Sequence, residues 1–307
     1  MTDFALRAVP LLARVGADRS DALRTDVDAA AAGWPSAGLL WVDPRGRVLV
    51  SGPAVVLSDT EKLGPTPPRE AVFLGKLPGD DGRAVWAMRG PLPDGPGAPM
   101  DVRRDAVGLD DLSAQLLVTA LALLNWHDNA RFSPADATPL RPARAGWARV
   151  DPVTGHEEFP RIDPAVIVLV HDGADRMVLA RQHGWPDRMF SLLAGFVEAG
   201  ESFETCVARE IREEVGIDVW DPRYLGSQPW PFPRSLMVGF HAQADPAQPF
   251  AYHDGEIVEA RWFTREQVRA ALAAGDWTTA DANAAFVVPG SVSIAREIIE
   301  SWAYSQD

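Results

Sequence analysis

The chain has 307 residues, enough for two domains, and is 47% hydrophobic and 23% charged, the balance of a globular protein with material for a core. A formal net charge of −14 argues against broad, charge-driven nucleic-acid binding, and the single cysteine, Cys206, excludes an intramolecular disulfide. No apolar run reaches the roughly 18–20 residues that span a bilayer. The opening MTDFALRAVP lacks a basic stretch followed by an apolar core, so no signal peptide is expected and the cytoplasm is the default compartment.

Residues 1–110 read as a β-rich N-terminal domain. Apolar runs at 38–42 and 48–50 flank Asp43-Pro44-Arg45-Gly46-Arg47, a turn sequence, and predict a hairpin. Runs at 71–75 and 84–88 flank Pro-Gly-Asp-Asp-Gly at 78–82 and predict a second pair. Residues 91–99 form a Pro/Gly loop, and Arg69, Arg103 and Arg104 read as solvated surface. Residues 111–160 then read as a helix and a connector. The helix covers 112–125, and its dense leucines predict burial between domains. Residues 131–160 lack periodicity and are rich in Pro, Ala and Arg, the mark of a connector.

The C-terminal domain, 161–307, opens with a hairpin of runs 165–170 and 177–180, and a strand over 190–193 leads to Gly195. From about Ser202 the chain reads as a helix. Phe203, Val207, Ile211 and Val215 recur every fourth residue as an apolar stripe, and Glu210, Glu213 and Glu214 share another face. Like charges at that spacing cost roughly 0.2–0.5 kcal/mol per pair on an exposed helix, a cost that a bound cation reverses. Hard oxygen ligands on one rigid element suit Mg²⁺; a solvated acidic face is the plain alternative. Residues 236–242 and 257–263 alternate as strands, Thr264-Arg-Glu-Gln267 has the form of a capping box for a helix to about Ala274, and a closing helix spans 293–304. The order of elements predicts an α+β fold with a mixed sheet.

Residues 195–217 resemble the Nudix box, G-x5-E-x7-R-E-U-x-E-E-x-G-U with U apolar. Gly195, Glu201, Arg209, Glu210, Ile211, Glu213, Glu214, Gly216 and Ile217 fill its fixed positions. The resemblance implies a Nudix fold, a mixed sheet sandwiched by helices. It also implies two or three Mg²⁺ or Mn²⁺ ions per site and hydrolysis of a nucleoside diphosphate linked to a second group. It makes Glu210, Glu213 and Glu214 catalytic and metal-binding. Glu201 and Arg209 become a bracing pair, supported by Gly195 and Gly216.

A second motif, Ser-Gln-Pro-Trp-Pro-Phe-Pro-Arg-Ser at 227–235, has three prolines in five residues, which preclude helix and sheet interior. Trp230 and Phe232 are stiff aromatics that either stack a base or anchor an extended loop. Downstream of a Nudix box, this motif with the following LMVGFHA is similar to the NADH pyrophosphatase subfamily, over about residues 120–300. That similarity implies hydrolysis of NADH to reduced nicotinamide mononucleotide and AMP, removal of NAD caps from RNA 5′ ends, and a homodimer. By it, Gln228, Pro229, Trp230, Pro231, Phe232, Pro233, Arg234 and Ser235 contact the dinucleotide, and Phe159 and Phe196 line the base pocket. Glu256 and the Ala194 carbonyl ligate metal, and Ala295 meets the ligand through its backbone. The sequence departs from the subfamily's zinc ribbon: the four cysteine places hold Ser133, Asp136, Asp151 and Thr154, so no zinc is expected, and Trp147 and Phe132 are expected to hold the connector by packing. Three rival readings stay open: hydrolysis of another substrate, such as ADP-ribose, a diadenosine polyphosphate or a nucleotide sugar; a non-catalytic dinucleotide sensor; and an RNA 5′-end decapping enzyme for which NADH is incidental, against which the net charge of −14 weighs. The intact glutamate set argues against the sensor.

Overall fold

A computed structural model describes residues 4–79, 82–252, 255–279 and 283–305. The chain forms two compact units. The N-terminal unit is Arg14–Ile162 with Trp230–Arg234; the C-terminal unit is residues 4–13, Asp163–Pro229 and the chain from Ser235 on. This differs from three consecutive blocks. Residues 14–110 and 111–160 fold together, and the two short segments each join the unit remote from them in sequence.

In the N-terminal unit two short helices, α1 (Asp21–Thr25) and α2 (Val27–Ala32), precede seven strands: β1 (Gly38–Val42), β2 (Val48–Ser51), β3 (Ala54–Val55), β4 (Ser58–Asp59), β5 (Val72–Lys76), β6 (Ala84–Arg89) and β7 (Ala98–Met100). The antiparallel pair of β5 and β6 is present; Asp80 and Asp81 of its expected turn lie outside the described residues. The first hairpin is corrected. Asp43 N–H bonds the Arg47 carbonyl at 2.9 Å as a turn should, yet the flanking strands enter different sheets. β1 lies in the order β4-β1-β6-β5, parallel to β6, and β2 lies in β3-β2-β7. Trp34, Phe73 and Trp86 fill the core with edge-to-face ring contacts, each worth about 0.5–1.5 kcal/mol beyond area burial.

After α3 (Val102–Asp105) comes the long α4 (Asp111–Asn129), capped where Asp110 accepts the Ser113 N–H at 2.7 Å. It packs on β1, β3, β5 and β6 of its own unit, so the leucines are buried within that unit. The expected connector is itself a three-stranded sheet in the order β10-β9-β8, from β8 (Arg141–Ala143), β9 (Ala148–Val150) and β10 (Glu157–Glu158). Its strands are too short for periodicity to announce them. At the former zinc positions side chains close the turns. Asp151 accepts from Val153 N–H (2.8 Å) and Thr154 Oγ1 (2.8 Å), and Asp136 accepts from Thr138 N–H (3.0 Å). Trp147 does pack, donating to the Phe73 carbonyl at 2.6 Å with Arg24 over its ring, whereas Phe132 is exposed, against expectation.

The C-terminal unit contains β11 (Asp163–His171), β12 (Arg176–Gln182), β13 (Leu193–Phe196), α5 (Phe203–Val215), β14 (Val219–Trp230, its last residue in the other unit), β15 (Ser235–Ala244), β16 (Ile257–Thr264), α6 (Arg265–Ala274) and α7 (Ile294–Ala303). The sheet order is β14-β15-β11-β12-β16. β11 runs parallel to β15, antiparallel to β12, and pairs with β13 as well. β11 is apolar from Ala165 to Val170 because both its faces are covered there. Val166, Val168 and Val170 pack with Val207, Ile211 and Val215 of α5; Ile167 and Leu169 pack with Val268, Ile298 and Trp302 of α6 and α7. Residues 4–13 belong here too: Phe4 enters the second of these cores, and the Arg7 N–H bonds Ser301 Oγ at 2.9 Å.

Candidate active site

α5 carries the chemistry, and its ends are set by sequence. Ser202 accepts the Thr205 N–H at 3.2 Å, and Gly216 ends the helix at φ 73°, a left-handed conformation that suits glycine. The buried face is Cys206, Val207, Ile211 and Val215. Phe203 is partly exposed, so the stripe begins one turn later than its spacing suggested. Burial pushes the Cys206 thiol up to about 12, which keeps it protonated as a packing group.

The three glutamates meet three environments. Glu214 is 2% exposed. Glu213 is half exposed. Glu210 is nearly buried and lies on the backbone of β13, where a Cβ added to Gly195 would overlap its carboxylate. Burial first, then the Glu213 and Glu201 charges against the pull of Arg209, hold the Glu210 carboxyl above its ordinary range.

Arg209 links them. Its guanidinium grips Glu201 through Nε (2.8 Å) and Nη2 (2.9 Å), pairs with Glu210 (2.9 Å) and Glu213 (2.9 Å), and donates to the Phe196 carbonyl (2.9 Å). Glu201 also accepts the Glu198 N–H at 3.0 Å, and the arginine contact holds its carboxyl down at about 2. The Arg209–Glu201 contact ties the loop to the helix.

The donor set fits a hard divalent cation: carboxylates on one helix, one of them buried and one seated against a glycine beside Ala194. In the present geometry no three His, Cys, Asp or Glu among the described residues converge on one point. Arg209 supplies the positive charge instead. Glu256 sits exposed just before β16, with its carbonyl fixed by the His183 N–H at 2.7 Å. Phe196 is exposed at the end of β13.

Two of the expected ligand-contact residues are buried. Gln228 is fully buried, its amide donating to the Val292 carbonyl at 2.8 Å. Ala295 is buried in the first turn of α7, with its N–H taken by Ser293 Oγ at 3.2 Å. Residues 227–230 are strand, not loop; β14 is an edge strand, where proline is tolerated.

In the N-terminal unit Trp230 and Phe232 meet edge to face at 5.1 Å, and Arg103, exposed as expected, lies over the Phe232 ring at 5.6 Å. Sequence reasoning missed Asn125 on α4, which donates to the carbonyls of Pro231 (2.8 Å) and Pro233 (3.2 Å) and is itself held by Arg89. Its place inside a leucine-rich helix masked it. Phe159, in the same unit, is exposed with Arg144 over its ring.

The NUDIX domain family matches residues 161–282. Over 98% of this chain and 97% of the relative, the sequence is 67% identical to "NAD-capped RNA hydrolase NudC" of Mycobacterium bovis BCG. A protein of the same name from Stutzerimonas stutzeri is 39% identical over 72% of this chain and 74% of its own. Human "NAD(P)H pyrophosphatase NUDT13, mitochondrial" is 37% identical over 68% and 60%. The chain belongs to the Nudix hydrolases and, among them, to the NudC family.

Proposed function

We propose that the protein hydrolyses the pyrophosphate bond of NADH and NAD⁺, adding water across P–O–P to release AMP and the nicotinamide mononucleotide, and removes NAD caps from RNA 5′ ends. The seating of the Glu210 carboxylate against Gly195, on the helix that carries Glu213 and Glu214, is the observation that carries this reading. The names of the relatives support the choice of NAD compounds. Glu210, Glu214 and Glu256, with Glu213 and the Ala194 carbonyl, would hold Mg²⁺ or Mn²⁺. Such ions, when bound, neutralise the diphosphate and supply a water of lowered pKa. Glu213 or Glu214 takes the proton from that water. Were Glu210 and Glu213 to turn to the ions, Arg209 would still hold Glu201 through two hydrogen bonds, so the brace would survive. Pro229, Trp230, Pro231, Phe232, Pro233, Arg234 and Ser235 contact the dinucleotide, and Phe159 and Phe196 offer exposed rings to a base.

A cytoplasmic homodimer without structural zinc belongs to the same proposal. The family resemblance supports the dimer, the lone cysteine a reducing compartment, and the side-chain-closed turns at Asp136 and Asp151 the absence of zinc. Among the described residues no helix is long and apolar enough to cross a membrane. The test is chromatography of products from NADH and from NAD-capped RNA with Mg²⁺ or Mn²⁺. AMP plus reduced mononucleotide from NADH, and 5′-monophosphate RNA from the capped RNA, are expected. Intact substrates, with ADP-ribose cleaved instead, would overturn the reading.

A further inference from the structure

The N-terminal unit contains a cavity of about 540 Å³ that the hydrolase reading does not use. One of its walls is Arg149 of β9, a cation only 9% exposed. Its Nη1 donates to His127 Nδ1 at 2.8 Å and its Nη2 to the Leu140 carbonyl at 3.2 Å, while Nε has no hydrogen-bond partner. His127 cannot neutralise it. With Nε2–H donated to the Gly146 carbonyl at 2.7 Å, Nδ1 is the acceptor and the ring is neutral. The Arg149 charge is therefore not balanced by its nearest side-chain partner.

Two more arginines line the same space. Arg69 and Arg131 are exposed, and neither forms an ion pair among the described residues. After burial, their charges are what hold the Arg149 guanidinium below its ordinary range, so the three cations feel one another. Arg89 also lines the cavity but is matched by Asp128 at 3.0 Å, which leaves Glu70 as the unmatched carboxylate of the lining. The cavity thus concentrates positive charge in a chain of net charge −14. Beside Arg131 stands Phe132, whose ring is 60% exposed although the Leu140 N–H to Arg131 carbonyl bond (2.9 Å) orders the backbone.

We propose that this cavity is a second ligand site, separate from the Nudix helix, that takes a free nucleoside monophosphate. The phosphate is held by Arg69 and Arg131, with the Arg149 charge behind them, and the base lies against Phe132. Arginine forks match phosphate oxygens, and an exposed aromatic face adds stacking. The volume lies within the roughly 300–1,000 Å³ range of small-molecule sites, far more than inorganic phosphate fills.

The test is calorimetric titration of the full chain in EDTA with AMP, adenosine and inorganic phosphate, using wild type, a double Arg69→Ala/Arg131→Ala variant and Phe132→Ala. AMP is expected to bind at least tenfold tighter than phosphate or adenosine. The double arginine variant loses that affinity at least tenfold, with NADH turnover in Mg²⁺ within twofold of wild type. Phe132→Ala brings AMP down to the affinity of phosphate. Unchanged AMP binding in the arginine variant would overturn the site, and equal binding of AMP and phosphate by wild type would overturn its nucleotide character. A 5′-phosphorylated oligonucleotide binding tenfold tighter than AMP would overturn the assignment to a free mononucleotide. Because the readout is binding without metal, failure of this site and failure of the hydrolase reading are separable.

Discussion

Gly195 leaves room for Glu210: any side chain there would occupy the space of the carboxylate. The obstruction is the end of a flexible side chain, so the fold can adapt, but the carboxylate must leave its seat. Gly195→Ala is therefore expected to lower NADH turnover by about 100-fold, on the scale of a misplaced catalytic group, with little change in melting temperature. Steady-state kinetics beside thermal denaturation check it; equal losses of activity and stability would mean that the glycine serves the fold alone. His171 offers a pH prediction. It accepts the Gly173 N–H at Nδ1 (3.0 Å) and so donates from Nε2 to His241 (3.0 Å), neutral and buried. Burial and then His241 push its pKa down from 6.5 to about 4. The unfolded chain binds the proton first, so this group's contribution to stability is complete above about pH 6.5 and is lost as pH falls toward 4. Urea denaturation at pH 7 and pH 4.5 should show a smaller loss in His171→Gln than in wild type.

At the scale of elements, β14 is an edge strand, and the four residues after it, 231–234, form an aromatic loop clamped from α4. Asn125→Ala removes two hydrogen bonds to proline carbonyls, each worth about 1 kcal/mol net. If the loop contacts substrate, KM for NADH should rise by about tenfold with kcat little changed, because the loss falls on uniform binding. A fall in kcat at constant KM would place Asn125 elsewhere in the cycle. α5 was the most legible element: its stripe, its serine cap and its terminal glycine stand within one short stretch, and each rests on a local rule. The β1–β2 turn was legible as a turn and misleading as a hairpin. Local sequence encodes the Asp43–Arg47 bond, whereas the choice of β6 as partner for β1 is made by contacts distant in sequence. Gln228 reads as a polar residue in an aromatic motif, and only the packing of β14 near Val292 buries it.

Across the whole molecule, the allocation of segments to units was the least legible feature, since residues 4–13 carry no motif and act through the apolar contact of Phe4. Phe4→Ala should cost about 3–5 kcal/mol, the usual range for a buried phenylalanine, and the loss should appear in the C-terminal unit. Hydrogen exchange resolved by segment checks this: faster exchange confined to residues 14–162 would contradict it. The charge balance was legible, yet its distribution was not. A net charge of −14 conceals a cavity where three arginines meet, because they are far apart in sequence. The placement of Glu210, Glu213 and Glu214 on one helix was legible because local spacing alone sets it.

The proposed hydrolysis depends on the carboxylates of α5. Its most direct test is NADH turnover at saturating Mg²⁺ by Glu214→Gln, which keeps the shape of a buried side chain and removes its charge. Turnover is expected to fall by roughly 10²–10⁴-fold, the contribution of a positioned acid–base group, with the melting temperature of the wild type retained. A folded variant that hydrolyses NADH at the wild-type rate would contradict it.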